Sequence, residues 1–247
     1  MNNVGGPLGM DRVPVSVGIC AFNEQRQVGR ALKSLLEQEI PEGFVLSEIL
    51  VVASGCTDGT EAVVASWAKA DSRVVLVRQP IREGKASAIN VFLAQARGEV
   101  LVLLNADARL RTGSLKRLLD PFARDPGFQI ACGLPVPETD GSPLVRRFAE
   151  VQWGLHNRAL ETLGRLGLPN HCCDEFLAMR KGFVDSIPPE VINDGAYLAV
   201  VAEQHGCAVH VCTDALVTVE IPRTLRGALM QRRRVLRGHR QIRGLLA

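Results

Sequence analysis

Val13, Val15, Val17 and Ile19 alternate with other residues and run into Cys20-Ala21-Phe22-Asn23-Glu24. A period of two followed by polar residues predicts a strand that ends in a loop. Val28, Ala31, Leu32, Leu35 and Leu36 then recur at helical spacing. Residues 49–52 are continuously apolar, as in a strand covered on both faces. Residues 54–59 carry turn chemistry, and residues 62–70 return to a helical pattern. Residues 74–77 predict a third strand. A helix opens at Gly84 with Ala88, Ile89, Phe92, Leu93 and Ala96 on its inner side, and a fourth strand spans 100–104, stopping at Asn105-Ala106-Asp107. Strands alternating with helices imply an α/β protein with a wound, mostly parallel sheet, right-handed crossovers and helices on both faces. Ligands bind such sheets outside the carboxyl ends of the strands. The polar clusters after strands one, two and four all belong there.

The second half is less regular. Residues 130–136 read as a strand, 144–166 as an amphipathic helix, 169–174 as a loop and 194–204 as a short helix after Pro188-Pro189. Residues 209–212 and 215–219 read as two short strands, and 225–246 as a last helix. No repeat or low-complexity linker divides the chain, so a single domain is expected. The expected parts are a flexible segment at 1–12, a body at 13–220 and a basic helix at 221–247.

Composition excludes several classes. The chain has 247 residues with 47% hydrophobic and 22% charged, ordinary for a globular protein and enough for a full core. No run approaches the ~18 apolar residues of a spanning helix. The first residues lack a secretory pattern, so a cytoplasmic location is expected. Seven cysteines without a CxxC pair argue for reduced thiols rather than a disulfide scaffold or structural zinc. The net charge of +3 hides an asymmetry, because residues 221–247 hold eight arginines and no acid. Such a tail suits phosphate or an anionic surface, or is simply a solvated helix face. With 4% aromatic residues, stacking platforms for single strands are scarce, and no nucleic acid partner is expected.

Three clusters carry candidate chemistry. Asp107, just past a buried strand with Asn105 beside it, could hold a hard divalent cation or cap a turn. Arg82-Glu83-Gly84-Lys85 sets two cations at a helix start, where a diphosphate could bind. It is neither a P-loop nor a GxGxxG turn. Asp194 sits at a helix N-terminus, where it caps the helix or serves as a general base.

Order and spacing then bring a resemblance. Val17-Gly-Ile-Cys-Ala-Phe-Asn-Glu24, Ile49-Leu-Val-Val-Ala-Ser-Gly-Cys-Thr-Asp-Gly-Thr60, Arg82-Glu-Gly-Lys-Ala-Ser-Ala-Ile-Asn90 and Val102-Leu-Leu-Asn-Ala-Asp107 resemble the motifs of family 2 glycosyltransferases. Phe176-Leu-Ala-Met-Arg180, Asn193-Asp194-Gly-Ala-Tyr-Leu198 and Gln231-Arg-Arg-Arg-Val235 extend the resemblance over about residues 13–240. The resemblance implies the GT-A fold in one domain, with a nucleotide-sugar half at 13–110 and a C-terminal acceptor-side half at 111–220. It implies an inverting transfer from a nucleotide sugar to a hydroxyl of a small or lipid-linked acceptor, with Mg²⁺ or Mn²⁺. UDP-sugars are slightly favoured over GDP- or dTDP-sugars.

By the same resemblance, Ala21, Phe22, Asn23 and Glu24 hold the nucleoside. Ser54 stands where an aspartate usually meets the base, Asp58 matches the family, and Arg82 and Lys85 lie near the nucleotide. Asn105, Ala106 and Asp107 form the metal motif, with Asn105 in place of its first carboxylate, Asp107 as the ligand and His239 as a second candidate. Asp194 takes the acceptor proton, with Asn193 where the family has Glu. Gln231, Arg232 and Arg234 reach the donor diphosphate, and Asp174, Glu175 and Arg180 line the acceptor side. Val235 replaces a tryptophan of processive synthases, so a non-processive enzyme is expected. The basic helix offers a surface for peripheral membrane association. The missing carboxylates leave open a weakly active, nucleotide-binding member, and the tail leaves open a nucleic-acid or membrane-surface module.

Overall fold

The structure, a computed structural model, describes residues 12–245. Apart from Arg12, the expected flexible segment at 1–12 lies outside the described residues. The first half runs β1 (Val13–Ala21), α1 (Val28–Leu36), β2 (Phe44–Ser54), α2 (Thr60–Ala70), β3 (Val74–Gln79), α3 (Lys85–Gln95) and β4 (Val100–Asn105). β1 pairs in parallel with β2 and β4, and β2 with β3. The continuous apolar run of β2 has the expected cause. Ile49 and Val51 enter the core on one face of the sheet, Leu50 and Val52 that on the other, because successive side chains of a strand point to opposite faces. α1 and α3 cover these two faces respectively.

The second half runs β5 (Ala108–Leu110), α4 (Ser114–Arg124), β6 (Ile130–Glu138), α5 (Pro143–Arg165), β7 (Phe176–Arg180), α6 (Asp194–Gln204), β8 (His210–Glu220) and α7 (Leu225–Leu245). All eight strands form one sheet in the order β3-β2-β1-β4-β7-β6-β8-β5. β7 runs antiparallel to β4 and β6, and β5 to β8, while β6 and β8 are parallel. The sheet is thus parallel through its first half and mixed through its second.

Four features differ from the sequence expectation. β5 and β7 are strands of three and five residues, too short for periodicity to mark. α4 buries Leu115, Leu118, Leu119 and Phe122 on one side. Pro121 breaks its pattern in the sequence, yet in the structure it sits inside a helix that its buried side holds against the core. The two strands expected at 209–212 and 215–219 are the single strand β8, whose pairing with β6 slips in register between Cys132 and Leu134. No helix among the described residues is long and apolar enough to cross a membrane.

Candidate active site

The carboxyl ends of β1, β2 and β4 meet at two recesses. The smaller is lined by Ala21 and Phe22 from the end of β1, Ser54 from the end of β2, and Arg82, Gly84 and Lys85 at the start of α3. The Arg82 guanidinium carbon lies over the Phe22 ring, 3.6 Å from its centre. The Ser54 hydroxyl is buried and has no hydrogen-bond partner within the protein. Such an orphan is costly unless a ligand meets it.

The larger recess is a cleft between the ends of β4 and β8 and the helix α7. Asn105, Asp107, Asp174, Glu175, Asn193, Glu220, Gln231, Arg234 and Val235 line it, with Trp153 of α5. Lys85 joins the two recesses. Its ammonium lies 2.7 Å from Asp174 Oδ2 and 3.0 Å from Asp194 Oδ2.

Two glycines permit this assembly. A Cβ on Gly195 would lie 2.2 Å from the Cys172 carbonyl oxygen, so only glycine lets the first turn of α6 approach the loop that carries Asp174. A Cβ on Gly238 would lie 2.6 Å from Cβ of Asn193, so glycine also lets α7 cross the start of α6. The Asn193 side chain accepts from the Ala196 N–H at 2.9 Å and caps α6. That corrects the capping alternative for Asp194, which is the first helical residue and is 3% exposed.

Electrostatics set the acids apart. Burial raises the Asp194 carboxyl to about 6, although Lys85 pulls it down. Burial and the adjacent Asp174 raise Glu175 to about 8. Burial, with Asp107, Asp58 and Glu220 nearby, raises Glu24 to about 7, and burial raises Asp107. Burial opposes the charge of Lys85, but Asp174 and Asp194 outweigh it and hold the ammonium protonated. The site thus crowds several acids together, and burial and mutual repulsion hold some of them protonated.

Several expected site residues lie elsewhere or do other work. Arg180 pairs with Val100, at the opposite end of β4 from Asn105, because β7 runs antiparallel. There it donates to the carbonyls of Phe122 and Phe128, so it is not on the acceptor side. Asp58 accepts from the Gln25 and Thr60 backbone N–H groups and from the Thr60 hydroxyl, which makes it an organiser of the turn rather than a donor contact. Asn23, at a positive φ of 56°, accepts from the Thr57 N–H at 2.8 Å and joins the same two loops. Glu24 is anchored there by its N–H to Thr60. The Ala106 side chain is buried in the core. Arg232 lies over the Trp153 ring, 5.3 Å from its centre. His239 lies 3.5 Å from the Asn193 amide and packs on His171 with ring centres 5.0 Å apart. Among the described residues no three His, Cys, Asp or Glu side chains are grouped to hold a metal alone.

Two cleft residues, Trp153 and Glu220, were not anticipated from the sequence. Trp153 is one of two tryptophans, set on an amphipathic helix, and Glu220 ends a strand as Asn105 does. Both signals were present but nonspecific.

The oxygen donors at Asp107, with the acids Asp174 and Glu220 near it, fit a hard divalent cation that takes the rest of its shell from other oxygens.

Known proteins resemble the chain in sequence and in fold. The chain is 34% identical over 148 residues to the succinoglycan biosynthesis protein ExoO of Rhizobium meliloti (strain 1021), covering 59% of this chain and 40% of that protein. It is 32% identical over 100 residues to the dolichyl-phosphate beta-glucosyltransferase ALG5A of Trichomonas vaginalis, covering 38% and 31%. It thus spans less than half the length of these relatives. Among solved structures, the mannosyltransferase PcManGT from Pyrobaculum calidifontis, in complex with GDP-Man and Mn²⁺, superposes with a TM-score of 0.67 at 25% identity, over 90% of this chain and 61% of that one. Residues 16–187, well over half the chain, match the family described as Glycosyl transferase family 2, and the chain belongs to that family.

Proposed function

We propose that this chain transfers a sugar from a nucleotide-sugar donor to an acceptor hydroxyl, with inversion, using a divalent cation. The observation that carries this reading is the cleft in which Asp107, Asn105 and Arg234 face the Asn193 turn, linked through Asp174 and Lys85 to the pocket with the orphan Ser54 hydroxyl. Residues 13–110 hold the donor, residues 111–220 the acceptor, and the basic helix α7 lies over the diphosphate.

Ser54 hydrogen-bonds an edge of the base, beside Phe22 and Arg82. Gln231 and Arg234 orient the diphosphate from α7. A Mg²⁺ or Mn²⁺ ion held by Asp107, with Asn105 and Glu220 near, would neutralise the leaving diphosphate as a Lewis acid. Asp194 takes the acceptor proton as the oxygen attacks the anomeric carbon from the opposite face. Burial supports that role, because it makes the carboxylate more basic than an exposed one. The donor complex of the mannosyltransferase neighbour supports a nucleotide sugar and Mn²⁺. The name of the Trichomonas relative supports a lipid-linked acceptor. The outer face of α7, with exposed Leu229, Met230 and Leu236 beside Arg226, Arg233, Arg237 and Arg240, supports peripheral association with an anionic membrane.

Calorimetric titration with UDP and GDP, with and without Mn²⁺, tests this reading. Binding that strengthens with Mn²⁺ in the natural protein and not in Asp107→Ala is expected. Equal affinity in all four conditions would count against the role of Asp107.

A further inference from the structure

Lys85 opens α3 where the two recesses meet. Its ammonium serves two carboxylates at once, Asp174 at 2.7 Å and Asp194 at 3.0 Å. The same side chain lines the pocket beside Ser54 and Arg82. Asp194 is 3% exposed, whereas 36% of the Lys85 side chain is exposed. The lysine is thus the movable member of the pair. An ammonium is a compact charge with three rotatable donors, so it can exchange a carboxylate for a phosphate oxygen without any change in the backbone. Asp194 Oδ2, 3.0 Å from that ammonium, accepts no hydrogen bond within the protein, so the contact is a bare ion pair that makes the carboxylate a weaker proton acceptor while it lasts.

We propose that Lys85 is a donor-responsive positioning residue. In the free protein it holds Asp194 in an ion pair. A nucleoside diphosphate draws the ammonium to its phosphates and releases Asp194 toward the acceptor. Donor binding then precedes competence of the base, and acceptor use follows donor binding. This inference rests on the donor and base roles proposed above. It adds a thermodynamic link, because the diphosphate and Asp194 compete for one cation and each weakens the other's hold on it.

The test is calorimetric titration of the full chain with UDP and GDP in Mn²⁺. The variants are Asp194→Asn, Asp174→Asn, Lys85→Met, Lys85→Arg and the double variant Lys85→Met/Asp194→Asn. Asp194→Asn and Asp174→Asn should each tighten the better-bound nucleoside diphosphate by about threefold or more, because Lys85 is no longer shared. Lys85→Met should weaken it by about tenfold, and Lys85→Arg should recover most of that loss. In the Lys85→Met background, Asp194→Asn should give no tightening. Unchanged or weaker binding by both Asn variants would overturn the proposal in favour of a structural ion pair. Equal tightening with and without Lys85 would overturn it too, since relief of general repulsion would then suffice. If the natural protein binds neither nucleotide, the functional reading itself fails, and this inference with it.

Discussion

The guanidinium of Arg232 on α7 lies over the indole of Trp153 on α5, 5.3 Å from the ring centre. Farther along α7, the Gln241 side chain accepts from the Ile192 N–H at 3.0 Å and donates to the Glu190 carbonyl at 2.6 Å. The helix is thus held at two places, and its Gln231 and Arg234 line the cleft. One stretch of helix therefore divides its arginines between the cleft, the Trp153 ring and the outer face.

The outer face should bind anionic bilayers through both charge and apolar contact. Sedimentation with vesicles of phosphatidylcholine and phosphatidylglycerol should carry the protein down, and vesicles of phosphatidylcholine alone should not. Arg233→Glu with Arg237→Glu should abolish the association, and Leu229→Gln with Leu236→Gln should weaken it at low salt. Equal sedimentation of all the variants would refute this face as the contact.

Asp194 sets the expected pH dependence. The carboxyl, raised to about 6, must be ionised to accept a proton. Transfer, followed as kcat/KM for the donor, should therefore rise with pH through about 6, the value of the free protein in which Lys85 still pairs with Asp194, and level off above it. Asp194→Asn should lower transfer by about 10²–10⁴-fold and still bind nucleoside diphosphate. A natural enzyme with no acid limb, or a fully active variant, would remove Asp194 from the mechanism.

The Ser54 hydroxyl makes no hydrogen bond in the free protein. Ser54→Ala should then change stability by no more than about 0.5–1 kcal/mol while weakening nucleoside diphosphate binding. Thermal melts with and without UDP and GDP separate the two effects. A large loss of stability with unchanged ligand-induced shifts would assign Ser54 to the core instead.

Glu48 tests what holds the parallel half of the sheet together. It is 2% exposed, accepts from the Ser16 hydroxyl and the Arg97 N–H, both at 2.7 Å, and meets the Arg97 guanidinium at 2.8 Å. Burial alone would raise its pKa, but these bonds outweigh burial and lower it. Its stabilisation is therefore full above the unfolded value of about 4.3 and is lost as pH falls through the lower folded value. Glu48→Ala should cost about 2–3 kcal/mol at neutral pH, because it leaves buried donors unpaired. The cost should shrink in acid, as denaturant titrations at pH 7 and pH 3 would show.

Much of the fold was legible along the chain. The period-two run of β1, the apolar run of β2, the helical spacings of α1 and α3 and the strand end at Asn105 are all local patterns, and each becomes the expected element. So is the asymmetry that gathers arginines in α7. β5 and β7 were hidden because strands of three and five residues show too few alternations, and α4 because Pro121 interrupts it.

Residue types and their order along the chain therefore determined the wound α/β sheet, the strand ends where ligands collect and the family motifs. Tertiary structure alone decided which of those residues meet. Arg180 lies in a family motif, yet the antiparallel direction of β7 sends it to the far end of the sheet. Asp58 matches its motif, yet its oxygens are taken by the turn. Lys85, Asp174 and Asp194 come from a helix start, a loop and another helix start, and they form one charged group only because Gly195 lets α6 close on that loop. Local spacing governs the period of an element, but a charge interacts through space, and the distances that decide its work exist only once the chain has packed.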